Sequence, residues 1–156
     1  MVQHTSYPIG VCIWAVFLGL IVGLAGSIFH LCVEFVLEFP IFFREYFGQY
    51  SLVAFPVFTS ISAAFALFLT RQFEPTTAGS GIPQIEAALL GIHKMRPIRV
   101  VIVKFVGGIH ALGSCLILGR EGPTMHIGGA LGQLCAKGMR KCEEQTHVFI
   151  AAGASA

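Results

Sequence analysis

Aspartate and asparagine are absent from all 156 residues. Their absence removes EF-hand loops, aspartyl chemistry and any Ser-His-Asp triad at once. Charge of either sign is scarce, at 12% of residues, about half of what a soluble domain of this length carries. Cysteine is present but unpatterned: Cys12, Cys32, Cys115 and Cys135 lie in apolar stretches, Cys142 lies in a polar one, and no CxxC occurs. They read as free thiols acting as small hydrophobes. The six histidines show neither HExxH nor Cys/His ligand spacing, so no metal site is expected. With a net charge of +2 and no basic run beyond Lys137, Arg140 and Lys141, nucleic acid is not an expected partner. That short basic cluster reads as a membrane boundary.

What the chain has in abundance is apolar length. Hydrophobic residues make up 55% and mean hydropathy is +0.78. Residues 8–33 and 46–70 carry no formal charge, and each run exceeds the roughly 20 residues needed to cross a ~30 Å hydrocarbon core. The chain is read as a membrane protein with the lipid bilayer as its surroundings. A secretory signal is not expected, given the long apolar stretch, the lack of Lys or Arg before it, and the lack of a small-x-small cleavage site after it.

The predicted class is all-α: a polytopic membrane protein with tilted and broken helices. Spans are expected at about 8–39 and 51–70, a short helix at 82–90, a broken helix pair at 100–119 and 122–138, and the start of another helix at 143–156. Gly19, Gly23 and Gly26 give the first span a small-residue face that suits close approach of another helix. The alternative is simply a glycine-rich membrane helix. Pro40 is expected to end that span, and Pro56 to sit early in the second, where a kink is tolerated.

Two interruptions carry the functional information: Gly79-Ser80-Gly81-Ile82-Pro83 and Gly119-Arg120-Glu121-Gly122-Pro123. Short hydrophobic segments broken by Gly and Pro point to a transporter's binding site. Pro83 and Pro123 fit the first turn of a helix, where a missing N–H costs nothing. The glycines let the preceding backbone turn sharply and expose its N–H groups. A helix start carries roughly +0.5 charge and unpaired donors, which suits an anion without requiring a full cation. Ser80 adds a hydroxyl donor at the first such turn. Glu121 places an ionisable group at the second, and intramembrane ionisable residues are by default functional. Its carboxylate can take the anion's position when charged and leave it when protonated. The competing reading is an ion pair with Arg120 at an aqueous interface.

The segments GSGIPQIE at 79–86, KFVGG at 104–108 and GREGPTMHIGG at 119–129 resemble the first signature regions of the ClC family of voltage-gated chloride channels and proton/chloride antiporters. The resemblance spans nearly the whole chain, in order and at matching separations. It implies a partial ClC-type inverted-repeat fold, chloride and protons as the transported species, no cofactor, and a homodimer of complete subunits. It also implies roles: Ser80, Gly81, Ile82, Gly122 and Pro123 at the chloride-binding helix starts, and Glu121 as the gating, proton-exchanging glutamate. Glu86 and Arg120 would be a buried acid–base pair, and Lys104 a buried cation raising the local potential. The family's third chloride motif, its later chloride-binding tyrosine and its inner glutamate do not occur, and the chain is expected to be a fragment.

The expected function is proton-coupled chloride exchange. The alternatives are a passive voltage-gated chloride channel and a non-transporting accessory membrane subunit. A Ser/His intramembrane hydrolase, using Ser80 or Ser114 with His110 or His126, is disfavoured because GxSxG and an orienting Asp are both missing; no enzymatic activity is expected. The short N-terminus points to a bacterial inner membrane.

Overall fold

The structure, a computed structural model, describes residues 9–92, 95–114, 118–138 and 143–156. Every regular element among them is helical. The first, α1, runs Ile9–Leu37 without interruption for 29 residues, about 43 Å at 1.5 Å per residue and longer than the apolar core of a bilayer. One face of it is buried at Leu18, Val22, Phe29 and Val33, a spacing of four and seven that keeps these side chains on one stripe. The other face stays apolar and exposed at Val16, Leu20, Leu24, Leu31 and Phe35, as a helix facing lipid or further protein requires.

Pro40 does not stop the chain from being helical. It lies in the first turn of a second helix, α2 at Phe39–Phe47, where proline's fixed φ is accommodated without loss of a hydrogen bond. Aromatic rings then hold α2 to α3 (Ser51–Phe73): Phe39 stacks on Phe58 at 5.6 Å, and Phe43 lies 5.2 Å from the same ring. Inside α3, Thr59 and Ser60 donate their hydroxyls to the Pro56 carbonyl at 3.0 and 2.7 Å. The helical stretch Ile13–Phe73, which takes in most of α1 and all of α2 and α3, is long and apolar enough to cross a membrane.

The remaining helices are α4 at Ile82–Leu89, α5 at Pro97–Gly113, α6 at Glu121–Gly138 and α7 at Glu143–Ser155. Their core forms where α1, α5, α6 and α7 meet. Phe29 and Val33 pack on Leu112 and Ile127, and Leu18 and Val22 on Ala136 and Phe149. The closest contact is between α6 and α7, whose backbones touch at Gly128, Gly132 and Gly153. A Cβ on any of the three would collide with main-chain atoms across the interface. Around Gly19, Gly23 and Gly26, by contrast, a Cβ would meet nothing within 4 Å. Small residues are used for close approach in this chain, but on α6 rather than on the first span. Cys115, Cys142, Arg140 and Lys141 lie outside the described residues.

Candidate anion site at two facing helix starts

The turn before α4 is built by three interactions. Gly81 adopts φ 93°, a left-handed conformation that glycine takes without strain, and its carbonyl accepts the first helical bond, from Ile85 N–H at 3.1 Å. His126 of α6 presses on it so closely that a Cβ at Gly81 would fall 2.5 Å from the imidazole. Lys104, buried on α5, donates its ammonium to the carbonyls of Thr77 and Gly79, the first at 2.9 Å. A charged donor thus anchors the strand of loop that delivers Ser80. The Ser80 hydroxyl oxygen accepts from Ile82 N–H at 3.4 Å, which leaves its own O–H to donate.

The start of α6 meets that turn directly. Arg120 supplies the capping carbonyl, accepting from Thr124 N–H at 3.3 Å and from the Thr124 hydroxyl at 3.2 Å. Gly122 then lies against Ser80: a Cβ there would be 2.7 Å from the Ser80 carbonyl oxygen and 2.8 Å from its Cα. Two helix starts separated along the chain therefore share one place in space. Between them and α3 opens a cavity of about 590 Å³ lined by Ser80, Ile82, Lys104, Glu121, Gly122 and Pro123 among others. Glu121 also lines a second cavity, about 830 Å³, on the side of α1 and the end of α7. The glutamate stands where both spaces meet.

One arrangement differs from expectation. The structure does not bring Glu86 and Arg120 together. Glu86 shares the exposed face of α4 with Ile82, Pro83 and Leu90, while Ile85 and Ala88 form the buried face. Arg120 turns instead toward α1, with Nη1 3.3 Å from His30 Nδ1, and His30 Nε2 lies 3.0 Å from Glu34 Oε1. The disfavoured Ser/His pairing has no hydrogen bond behind it among the described residues. Ser114 donates to Ala111 O at 2.6 Å, and His110 pairs with Ser62, Oγ to Nδ1 at 3.1 Å, tying α5 to α3. Sequence reasoning missed the His30 contact, although the i,i+4 spacing of His30 and Glu34 was a readable signal. No group of His, Cys, Asp or Glu capable of holding a metal occurs among the described residues.

A family profile described as voltage gated chloride channel matches residues 62–156. The chain belongs to the voltage-gated chloride channel family. Over 157 residues it is 41% identical to the H(+)/Cl(−) exchange transporter ClcA of Vibrio vulnificus, covering 98% of this chain and 34% of that protein. Over 160 residues it is 37% identical to ClcA of Citrobacter koseri, covering 100% of this chain and 34% of that one. A crystal structure of a slow cyanobacterial Cl−/H+ antiporter superposes with a TM-score of 0.91 at 31% identity, over 96% of this chain and 36% of that chain. The chain thus spans about a third of the length of the curated relatives it matches. Its fold is the all-α fold of this voltage-gated chloride channel family, and it is an integral membrane chain. The relatives are named as transporters rather than enzymes.

Proposed function

We propose that this chain supplies the opening half of the chloride pathway, and its glutamate gate, in a proton-coupled chloride exchanger. The observation that carries the reading is the contact of Gly122 with Ser80, which sets two helix starts against one cavity with Glu121 at its edge. In this reading chloride is held by first-turn N–H groups and by the Ser80 hydroxyl. Gly81, Ile82, Gly122 and Pro123 shape the two starts, and Lys104 holds the serine-bearing loop in place. Donors of this kind bind an anion firmly enough to admit it and weakly enough to release it.

Glu121 sits in the first turn of α6, where the helix dipole favours negative charge. Ionised, its carboxylate competes with chloride for the same donors. Protonated, it loses that attraction and swings away, opening the route and carrying a proton with it. The two cavities on either side of Glu121 give the side chain space to move. Exchange is favoured over passive conduction because both ClcA relatives are named exchange transporters and the matched crystal structure is an antiporter. The bacterial sources of these relatives favour a bacterial cell membrane, and the family resemblance favours a homodimer.

The test is a full-length protein carrying this segment, reconstituted in liposomes under an outward chloride gradient. Glu121→Gln is expected to keep chloride flux, to abolish chloride-driven proton uptake and to flatten the dependence of flux on external pH. Proton uptake at wild-type stoichiometry in the Gln variant would reduce Glu121 to an ordinary surface charge.

A further inference from the structure

Beside the second cavity, Arg120, His30 and Glu34 form a chain of contacts. Arginine can only donate, so the 3.3 Å contact from Arg120 Nη1 makes His30 Nδ1 the unprotonated nitrogen. The neutral ring then carries its hydrogen on Nε2, which faces Glu34 Oε1 at 3.0 Å. Both contacts are satisfied by one tautomer and by no other. The groups around the ring are Glu34 on its own helix and Arg120 and Glu121 from the start of α6. The α7 residues that reach this cavity, 153–156, bring no titratable side chain.

We propose that His30, as its neutral Nε2–H tautomer, is a positioning residue that clasps Arg120 to α1 and so fixes the 119–121 turn from which Glu121 projects. This rests on the reading of Glu121 as the gate. The Arg120 carbonyl caps α6, so restraining the Arg120 side chain restrains the helix start itself. A protonated imidazole offers no acceptor and repels the guanidinium, so it releases Arg120 while keeping Glu34. Imidazoles change charge between about pH 5 and 8. Protonation of the ring therefore loosens the turn.

The experiment compares wild type, His30→Gln and His30→Ala in the full-length protein carrying this segment. Glutamine offers Arg120 an acceptor that does not titrate; alanine offers none. Chloride flux at pH 7.5 is expected to be near wild type in His30→Gln and about two- to tenfold altered in His30→Ala, the span of one hydrogen bond. The flux ratio between pH 7.5 and 5.5 should differ from wild type in both variants by a similar factor. Identical pH profiles in all three proteins overturn the proposal. Histidine ring 15N NMR in detergent reads the tautomer without any transport: an Nε2–H signature for His30 at pH 8 supports the clasp, and an Nδ1–H signature overturns it. A wild-type protein that moves chloride without protons would defeat the gate reading, while the tautomer and the flux ratios would still judge His30.

Discussion

At Gly122 the size of one side chain decides whether the two helix starts can meet. A methyl group there would lie within 2.7–2.9 Å of Ser80 backbone and Cβ atoms, and backbone cannot yield as a flexible side chain does. Gly122→Ala is therefore expected to push α4 and α6 apart at about 1–3 kcal/mol, seen as a lowered melting temperature in detergent and weaker chloride binding by calorimetry on the full-length protein. Gly26→Ala is the control, since nothing lies within 4 Å of its Cβ position and alanine is the better helix former; equal losses in both variants would sink the contact. Lys104→Met is a second residue-scale case. It strips the donor from the Thr77 and Gly79 carbonyls, and leaving the buried Thr77 carbonyl unpaired costs about 1–3 kcal/mol, while the exposed Gly79 carbonyl can turn to water. Thermal stability should fall, with a looser 77–80 loop in hydrogen exchange; unchanged exchange there would show that the loop holds its own shape. That Gly122 and Pro123 open a helix is readable from their order in the sequence. That Gly122 meets Ser80 is not, because a contact between distant segments leaves no local pattern, and Lys104 came into view only through resemblance to a family.

The elements themselves were largely legible, because membrane helices announce themselves by uncharged length. The run at 8–33 falls on α1 from residue 9 onward, the run at 46–70 takes in the end of α2 and most of α3, and the Gly-Pro interruptions fall at the starts of α4 and α6. Two elements resisted. Helix α2 was hidden because Pro40 ends a helix or begins one with equal ease, and the decision rests on aromatic packing against Phe58 that no local pattern encodes. Gly19, Gly23 and Gly26 suit either a close helix pair or a plain glycine-rich helix, and the close pair lies at Gly128, Gly132 and Gly153. Both sets satisfy small-residue spacing, and only the partner's own glycine separates them. This gives an element-scale prediction. Gly132→Val inserts a branched side chain into the Phe149 backbone across the α6–α7 interface and should destabilise by about 1–3 kcal/mol or more. Gly19→Val, which adds bulk to an open face, should change stability only by a helix-propensity difference of a few tenths of a kcal/mol, in valine's favour. Melting curves of the two variants in detergent decide the matter, and indistinguishable curves would mean that α6 and α7 are not held by backbone contact.

For the whole molecule the question is whether these helix starts suffice to move an anion. Ser80, Ile82 and Glu121 are all exposed, and the 590 Å³ cavity they line is walled by α3, α5, the two turns and the start of α6. An anion leaving water must exchange its hydration shell for donors on every side, because an unpaired charge in a membrane interior is costly. Two helix starts, each worth roughly +0.5 charge, furnish that shell over part of a sphere. The outward face of α1 points to the same conclusion, since its exposed apolar side chains need lipid or further helices to cover them. Relatives that share this segment are about three times its length, with 34% of each covered. The 156-residue chain by itself is thus expected to insert in membranes and to leave chloride flux at the level of empty liposomes. The full-length protein carrying the same segment should raise flux well above that level and lose it on Gly122→Ala. Chloride-selective flux from the short chain alone, sensitive to Glu121→Gln, would mean that one pair of helix starts makes a complete pathway, and the account of the site as a partial shell would have to be abandoned.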